Sequence, residues 1–331
     1  MFGAAAAKLR AELFSELTAL HGAGINIGES LAIVSAEMRP SRLSAAIADA
    51  GRATSGGRSL SEALREHEDV FSPLTIAMIE VGERSGRLEA ALRGAADFHE
   101  RDFELRNLLT RELTYPIILF AAILFIPLAG NMIRIWLMES LLAALIAGAG
   151  QIFVYALFLG GPAFLIWLLV RNLSQTPEGR LRLDQIKLRL PIIGNVLRKL
   201  ALSRFCRALA SLYSSGVLMG TALRLAAEAS GNEVIRRQFG GGATKLERGG
   251  KLSEVLSEGG LMPRAVLGMF RTGEQTGEVD AMAHKVADYL EQEAQTSIKQ
   301  VAVSLAPVAI IIAGIIVAIM VISFYSGLYS F

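Results

Sequence analysis

The chain has 331 residues, of which 52% are hydrophobic and 19% are charged, and its formal net charge is +2. Its mean hydropathy of +0.44 is too high for an ordinary soluble protein, while the charged fraction is too large for a chain buried wholly in lipid. The nearly neutral charge, without a dense Lys/Arg stripe, argues against a nucleic-acid platform. The one cysteine, Cys206, excludes an intrachain disulfide, and its apolar helical surroundings predict a buried, inert thiol.

The first region, residues 8–112, is predicted to form a compact antiparallel bundle of about six short helices. Leucines recur there at helical spacing, and no alternating strand pattern competes with it. Ser59 with Glu62 fits a capping box at one helix start. Ser72 followed by Pro73 fits another start, with serine as the cap and proline at the first helical position.

Three long apolar runs predict transmembrane helices. The first, 113–133, has no charged residue, and at about 1.5 Å per residue it spans a hydrocarbon core of roughly 30 Å. A polar break at Glu139 lies in a predicted connection, 134–149, and the second span is predicted at 150–170. The third is predicted at 301–325. Burial of all three in a soluble core is the disfavoured alternative, because each is long enough to cross a bilayer.

The distribution of Lys and Arg predicts the orientation. Arginines precede the first span, and several Lys and Arg residues follow the second, while the connection contains only Arg134. The positive-inside rule then places the N-terminus and both soluble regions, 8–112 and 171–300, in the cytoplasm. The connection and the C-terminal tail, Tyr325–Phe331, are predicted to lie outside.

The second soluble region repeats the first. At an offset of 192, six residues of the first region meet identical or similar residues of the second, and the pairs are Leu17/Leu209, Leu20/Leu212, Gly24/Gly216, Ile25/Val217, Gly28/Gly220 and Leu31/Leu223. Further along the chain the second copy lacks one residue, and the offset becomes 191. A long-period repeat of this kind predicts an all-α architecture of two repeated cytoplasmic helical bundles with three transmembrane helices.

A five-residue motif occurs in both copies, just before the last helix of each bundle. The copies are Gly82-Glu83-Arg84-Ser85-Gly86 and Gly273-Glu274-Gln275-Thr276-Gly277. Its glycines are expected to permit tight helix–helix turns that a side chain would obstruct. For the two glutamates we consider a structural role at a helix N-terminus, a partner-facing surface and a divalent-metal site. The predicted motif residues, structural or partner-facing, are Gly82, Glu83, Gly86, Gly273, Glu274, Gly277, Gly24 and Gly216.

These features resemble the two-repeat platform proteins of type II secretion and type IV pilus assembly, often called secretion-system F proteins. The resemblance rests on both Gly-Glu-x-Ser/Thr-Gly motifs, on Leu209-Ala210-Ser211-Leu212 with Ser215-Gly216-Val217, and on Leu190-Pro191-Ile192-Ile193-Gly194. It covers nearly the whole chain, including the order of the spans. Relatives usually carry an extra N-terminal cytoplasmic segment ahead of the first bundle.

The resemblance implies a non-enzymatic platform in the bacterial inner membrane, with no cofactor. It implies contacts with a hexameric assembly ATPase, pilin-like subunits and other inner-membrane assembly proteins, and a homo-oligomer. Consistently, the sequence has no Walker motif, no nucleophile elbow and no histidines at metal-ligand spacing. The alternatives are a transporter or channel subunit, disfavoured by spans without ionisable residues, and a membrane adaptor that works without a motor.

Overall fold

The computed structural model of the chain describes residues 2–138, 140–191 and 193–328. Every regular element within these ranges is a helix, which confirms the predicted all-α class. The chain divides into two compact units. The first comprises Met1–Leu108 and Gly194–Gln295, and the second comprises Leu109–Ile193 and Thr296–Phe331. Glu139, Ile192 and the end of the predicted tail, 329–331, lie outside the described residues.

The first repeat consists of five short helices and the start of a long one. They are α1 (Phe2–Gly22), α2 (Ile27–Glu37), α3 (Arg42–Ser55), α4 (Leu60–Arg65), α5 (Pro73–Arg84) and α6 (Leu88–Met138). Local signals set the starts, because side chains of Asn26, Ser41, Ser59 and Ser72 accept hydrogen bonds from backbone N–H groups of the next helix. Ser59 accepts from Glu62 N at 3.2 Å, which is one half of the predicted capping box.

The second unit contains α7 (Leu141–Tyr155), a π-helical turn (Ala156–Gly160), α8 (Gly161–Leu173) and α9 (Pro177–Arg189), together with the later parts of α6 and of the last helix. The second repeat follows, with α10 (Ile193–Ser214), α11 (Met219–Ala229), α12 (Glu233–Gly240), α13 (Ala243–Glu247), α14 (Leu252–Ser257), α15 (Arg264–Thr276) and α16 (Val279–Leu328).

The second repeat has one helix more than the first in the described part of the chain, because the counterpart of α3 is divided into α12 and α13. Glycines occupy 240–242 at the division. A Cβ at Gly242 would lie 2.1 Å from Val255 Cγ1, so the chain can pass α14 this closely only without a side chain there.

Both repeats contribute to one hydrophobic core in the first unit. Phe14 and Ile79 of the first repeat and Phe205 and Phe239 of the second are almost fully buried. Cys206 is also buried, and burial raises the pKa of its thiol, as expected for an inert cysteine. The two predicted bundles therefore pack together through shared apolar side chains.

Within the described residues, three helical segments are long and apolar enough to cross a membrane: Leu88–Leu137, Leu141–Phe158 and Val279–Ala318. Their large apolar side chains are exposed on the protein surface, as Phe125, Leu142 and Ile311 illustrate. Surface of this composition is stable in lipid and aggregates in water.

The sequence between the first two spans is helical almost throughout. α6 ends at Met138, and α7 begins at Leu141 with Ser140 as its cap, so helix occupies most of the predicted connection, 134–149. Gly148, which belongs to that predicted connection, lies inside α7. A Cβ there would lie 2.7 Å from Met132 Sδ, which shows that Gly148 allows α6 and α7 to approach closely.

Candidate functional site

The repeated five-residue motif forms a turn with left-handed glycine in both repeats. Gly86 has φ 68° and Gly277 has φ 76°, a conformation that favours glycine because it has no Cβ. In the first repeat Arg87 N donates to Gly82 O at 2.8 Å, and Gly86 N donates to Glu83 O at 3.2 Å. This is a Schellman motif, which ends α5 and redirects the chain into α6.

The earlier glycine pair has the same geometry. Gly24 and Gly216 have φ 87° and 88°. Ile25 N donates to Leu20 O at 3.1 Å, and its counterpart Val217 N donates to Leu212 O at 3.0 Å. The two repeats therefore share the conformation of this turn as well as its sequence.

The first glycine of each motif lies against the following long helix. A Cβ on Gly82 would lie 2.4 Å from Ala91 Cβ, and a Cβ on Gly273 would lie 2.8 Å from Met282 Cγ. Ala91 and Met282 correspond at the offset of 191. Because Cβ contacts under 3.0 Å are not tolerated, each glycine sets the distance between two helices: α5 and α6 in one repeat, α15 and α16 in the other.

Each motif glutamate fastens the N-terminus of an earlier short helix. Glu83 Oε2 accepts from Ser61 N at 3.0 Å and from Ser61 Oγ, and Glu83 Oε1 accepts from Leu60 N. Glu274 Oε1 accepts from Ser253 N at 3.2 Å, and Glu274 Oε2 accepts from Ser253 Oγ. The carboxylates thus satisfy N–H groups that a helix start leaves without an intrahelical partner.

The helix that each glutamate contacts differs from the expected one. The position of the motif suggested the N-terminus of the helix that follows it. Glu83 instead accepts hydrogen bonds from the start of α4, at Ser61, which is 22 residues earlier. Since the oxygens of Glu83 face N–H and O–H donors, they act as acceptors there. Within the described residues, no group of three or more His, Cys, Asp or Glu side chains is arranged to hold a metal ion.

The exposed part of each motif is the remainder of the turn. Arg84, Ser85 and Gly86 are exposed, as are Gln275, Thr276 and Gly277, whereas Gly82 and Gly273 are buried. A partner-facing role of the motif stays a prediction, and in this geometry it concerns the exposed turn residues rather than the carboxylates.

A buried ion cluster in the second repeat is formed by residues that belong to no single sequence motif. The guanidinium of Arg207 on α10 donates to Glu291 on α16 at 2.7 and 2.8 Å, and also to Asp288. Burial opposes the charged guanidinium, but the hydrogen bonds that it donates to both carboxylates outweigh burial and raise the pKa of Arg207. The signal in the sequence is an acidic pair at i, i+3 on one helix and an arginine distant in sequence.

The comparison with known protein families also divides the chain into the two repeats. The family model described as "Type II secretion system (T2SS), protein F" matches twice, at residues 13–131 and 205–327. Each match covers one bundle and the apolar helix after it.

Individual relatives align over most of the chain. It is 31% identical over 326 residues to the type IV pilus assembly protein PilC of Thermus thermophilus, covering 95% of this chain and 80% of that protein. It is 30% identical over 312 residues to the type II secretion system protein F of Aeromonas hydrophila, covering 86% and 76% respectively. It is 28% identical over 327 residues to TapC, a type IV pilus assembly protein of the same organism, covering 95% and 79%.

Proposed function

We propose a motor-coupling role for this chain, which belongs to the type II secretion system protein F family of inner-membrane platform proteins. In this role it is a non-enzymatic platform that couples a cytoplasmic assembly ATPase to the delivery of pilin-like subunits from the bilayer into a filament. The relatives' names place them in pilus assembly and secretion.

One structural observation supports the coupling. In each repeat, the Gly-Glu turn leads into a helix that continues without interruption into an apolar segment: α6 has 51 residues and α16 has 50. Glu83 ties the end of α5 to the start of α4, so a displacement of these short helices acts on the first turn of α6. The proposal is that the ATPase moves the bundles and that α6 and α16 carry the movement to the membrane.

The coupling requires both bundles on the side of the ATPase. We therefore propose that the N-terminus and the bundles are cytoplasmic and that Ser140 and the C-terminal tail are extracytoplasmic, as the distribution of Lys and Arg indicates. A reporter of membrane side inserted next to Ser140, and another after Phe331, should both report from outside the cytoplasm. A cytoplasmic signal from either position would contradict the proposal.

The decisive test concerns the close contacts behind the turns. Gly82→Leu and Gly273→Leu should abolish filament output while membrane insertion survives, because any side chain forces α5 from α6 or α15 from α16. Gly268→Leu is the matched control, since Gly268 lies on α15 and a Cβ there meets no atom within 4 Å. Normal output from both motif variants would refute the coupling.

A reciprocal exchange separates spacing from general damage. Gly82→Ala places a Cβ against Ala91, and Ala91→Gly removes the opposing one. The double variant Gly82→Ala/Ala91→Gly should therefore recover output that Gly82→Ala alone loses. If the double variant is no better than Gly82→Ala, the spacing of α5 and α6 is not what matters.

The proposed partners need their own measurement. The full chain in detergent should co-purify with its assembly ATPase and should form a homo-oligomer, because a central platform matches a symmetric motor. A chain that stays monomeric at all protein concentrations, and that no assembly ATPase retains, would remove the motor from the proposal and leave an adaptor.

A further inference from the structure

A groove of about 750 Å³ lies between α1 and α6 in the first repeat, and five of the seven charged residues that line it are acidic. Two of its carboxylates have cations nearby: Lys8 Nζ lies 3.3 Å from Glu12, and Arg93 lies 2.8 Å from Glu89. Three further carboxylates line the groove without a hydrogen-bond or ion-pair partner in the described part of the chain, and they are Glu16, Asp97 and Glu100.

The second repeat shows what the corresponding carboxylates bind. At the offset of 191, Asp97 and Glu100 correspond to Asp288 and Glu291, the two side chains that hold the guanidinium of Arg207. The same acidic pair, at the same place on the long helix of each repeat, thus ligates an arginine in one copy.

The arginine is missing from the first copy. At the offset of 192 the position of Arg207 is Ser15, which lines the groove together with Ala11 and Ala19. These short side chains leave the space in front of Asp97 and Glu100 open, whereas Arg207 fills the corresponding space in the second repeat.

The correspondence holds in three dimensions as well as in sequence. Ser214 donates to Asp280 in the second repeat. Its counterpart in the first repeat is Gly22, and a Cβ there would lie 3.5 Å from Cδ of Glu89, the counterpart of Asp280. Since these neighbouring positions face each other in both copies, Ser15 occupies the place from which Arg207 reaches its two carboxylates.

We propose that this groove binds an arginine side chain of a partner protein, with the guanidinium between Asp97 and Glu100. Arginine suits the site better than lysine, because its planar fork binds carboxylates through paired hydrogen bonds, as Arg207 does with Glu291. The partner's arginine would complete in the first repeat the ion cluster that the second repeat builds from its own residues.

The surrounding charge favours a cation. Partial burial raises the pKa of Glu16, and the nearby carboxylates of Glu37 and Glu12 raise it further, so Glu16 lies close to two other acidic side chains. Asp97 and Glu100 also line a second cavity of about 390 Å³, together with Arg93, Arg101 and Arg207. Each of these arginines donates a hydrogen bond to a carboxylate other than Asp97 or Glu100, and the acceptors are Glu89, Glu104 and Glu291.

Binding can be measured with a defined probe and the full chain in detergent. The probe is a fluorescent, alanine-rich helical peptide with one central arginine, and the matched peptide carries citrulline, which has the same shape without the charge. Fluorescence anisotropy should show the arginine peptide binding to the wild type at least about tenfold more tightly than to Asp97→Asn/Glu100→Gln, because hydrogen bonds to charged groups are lost. Glu104→Gln, on the same helix outside the groove, should bind as the wild type does.

A gain-of-contact variant keeps the test independent of damage to the fold. Ser15→Arg should place an internal guanidinium in the groove, abolish peptide binding and leave the thermal midpoint unchanged or higher. Equal affinity of wild type and Asp97→Asn/Glu100→Gln would overturn the proposal, as would equal binding of the citrulline peptide. If Ca²⁺ binds at Asp97 and Glu100 more tightly than the arginine peptide does, the groove is a metal site and the proposal of an arginine ligand is overturned. None of these measurements requires nucleotide or filament, so they stand apart from the coupling role.

Discussion

Protonation of one buried histidine should destabilise the first repeat in acid. His99 on α6 is 6% exposed, its ring stacks on Phe14 with centroids 5.5 Å apart, and its Nε2 lies 3.1 Å from Thr75 Oγ1. Burial, together with the charge of Arg10, lowers the pKa of His99 to about 4 from the ordinary 6.5. The imidazole is therefore neutral in the folded protein at neutral pH.

The size and direction of the effect follow from linkage. Between pH 6.5 and 4 the unfolded chain binds a proton at this site and the folded chain does not, so the contribution to stability is complete above pH 6.5 and is lost as the pH falls towards 4. One pKa unit corresponds to about 1.4 kcal/mol, which gives about 3 kcal/mol in all. About 2 kcal/mol of it is lost by pH 5.

The second repeat supplies the matched variant. The counterparts of Thr75 and His99 at the offset of 191 are Val266 and Leu290, both buried. The double variant Thr75→Val/His99→Leu therefore installs an apolar pair that this fold already accommodates, and it removes the titrating group without leaving the Thr75 hydroxyl unpaired.

The assay is thermal unfolding in detergent at several pH values between 7.5 and 5. Carboxylates elsewhere titrate in both proteins, so the informative quantity is the difference between wild type and double variant. The wild type should lose about 2 kcal/mol relative to the variant, or roughly 4–8 °C in midpoint for a unit of this size. Parallel pH profiles of the two proteins would refute the assignment of a depressed pKa to His99.

Two further substitutions test the contacts described above. Glu83→Gln should destabilise the first repeat by about 2 kcal/mol, because charge-assisted hydrogen bonds to the start of α4 are weakened. Chemical denaturation measures this loss of stability, and an equal loss in the control Glu62→Gln, at an exposed position on α4, would contradict the prediction. Arg207→Met should lower the free energy of unfolding by about 3–5 kcal/mol, since Glu291 then stays buried without its partner. Adding Glu291→Leu to this variant should recover part of the lost stability, and no recovery would argue against the ion pair.

The elements that the sequence predicts correctly have local causes. The turns at Gly24 and Gly86 follow from glycine at positions with positive φ, and the start of α5 follows from Ser72 and Pro73. The repeat adds independent support, because two copies with the same pattern limit chance agreement. The number of long apolar helices follows from length and composition alone, and the bounds of the spans stay a prediction.

The features that sequence analysis missed depend on contacts between distant residues. Nothing near Glu83 indicates that its partner is Ser61, because the link is set by how α5 packs on α4. Gly148 lies in the predicted connection, and in the structure it is a residue at which α7 packs closely on α6. The cluster around Arg207 joins residues more than 80 positions apart, and only the packing of α10 on α16 brings them together.

The short interval between α6 and α7 has a consequence for biosynthesis. Asn131 Nδ2 donates to Gln151 Oε1 at 3.1 Å, and Gln151 Nε2 donates to Tyr155 Oη at 2.9 Å. Each side-chain amide alone is unfavourable in hydrocarbon, and the hydrogen bond between the two amides lowers the cost of burying them there. Asn131 leaves the ribosome 20 residues before Gln151, so α6 gains its polar neighbour only once α7 has emerged. We expect the two helices to enter the bilayer as a hairpin rather than one after the other.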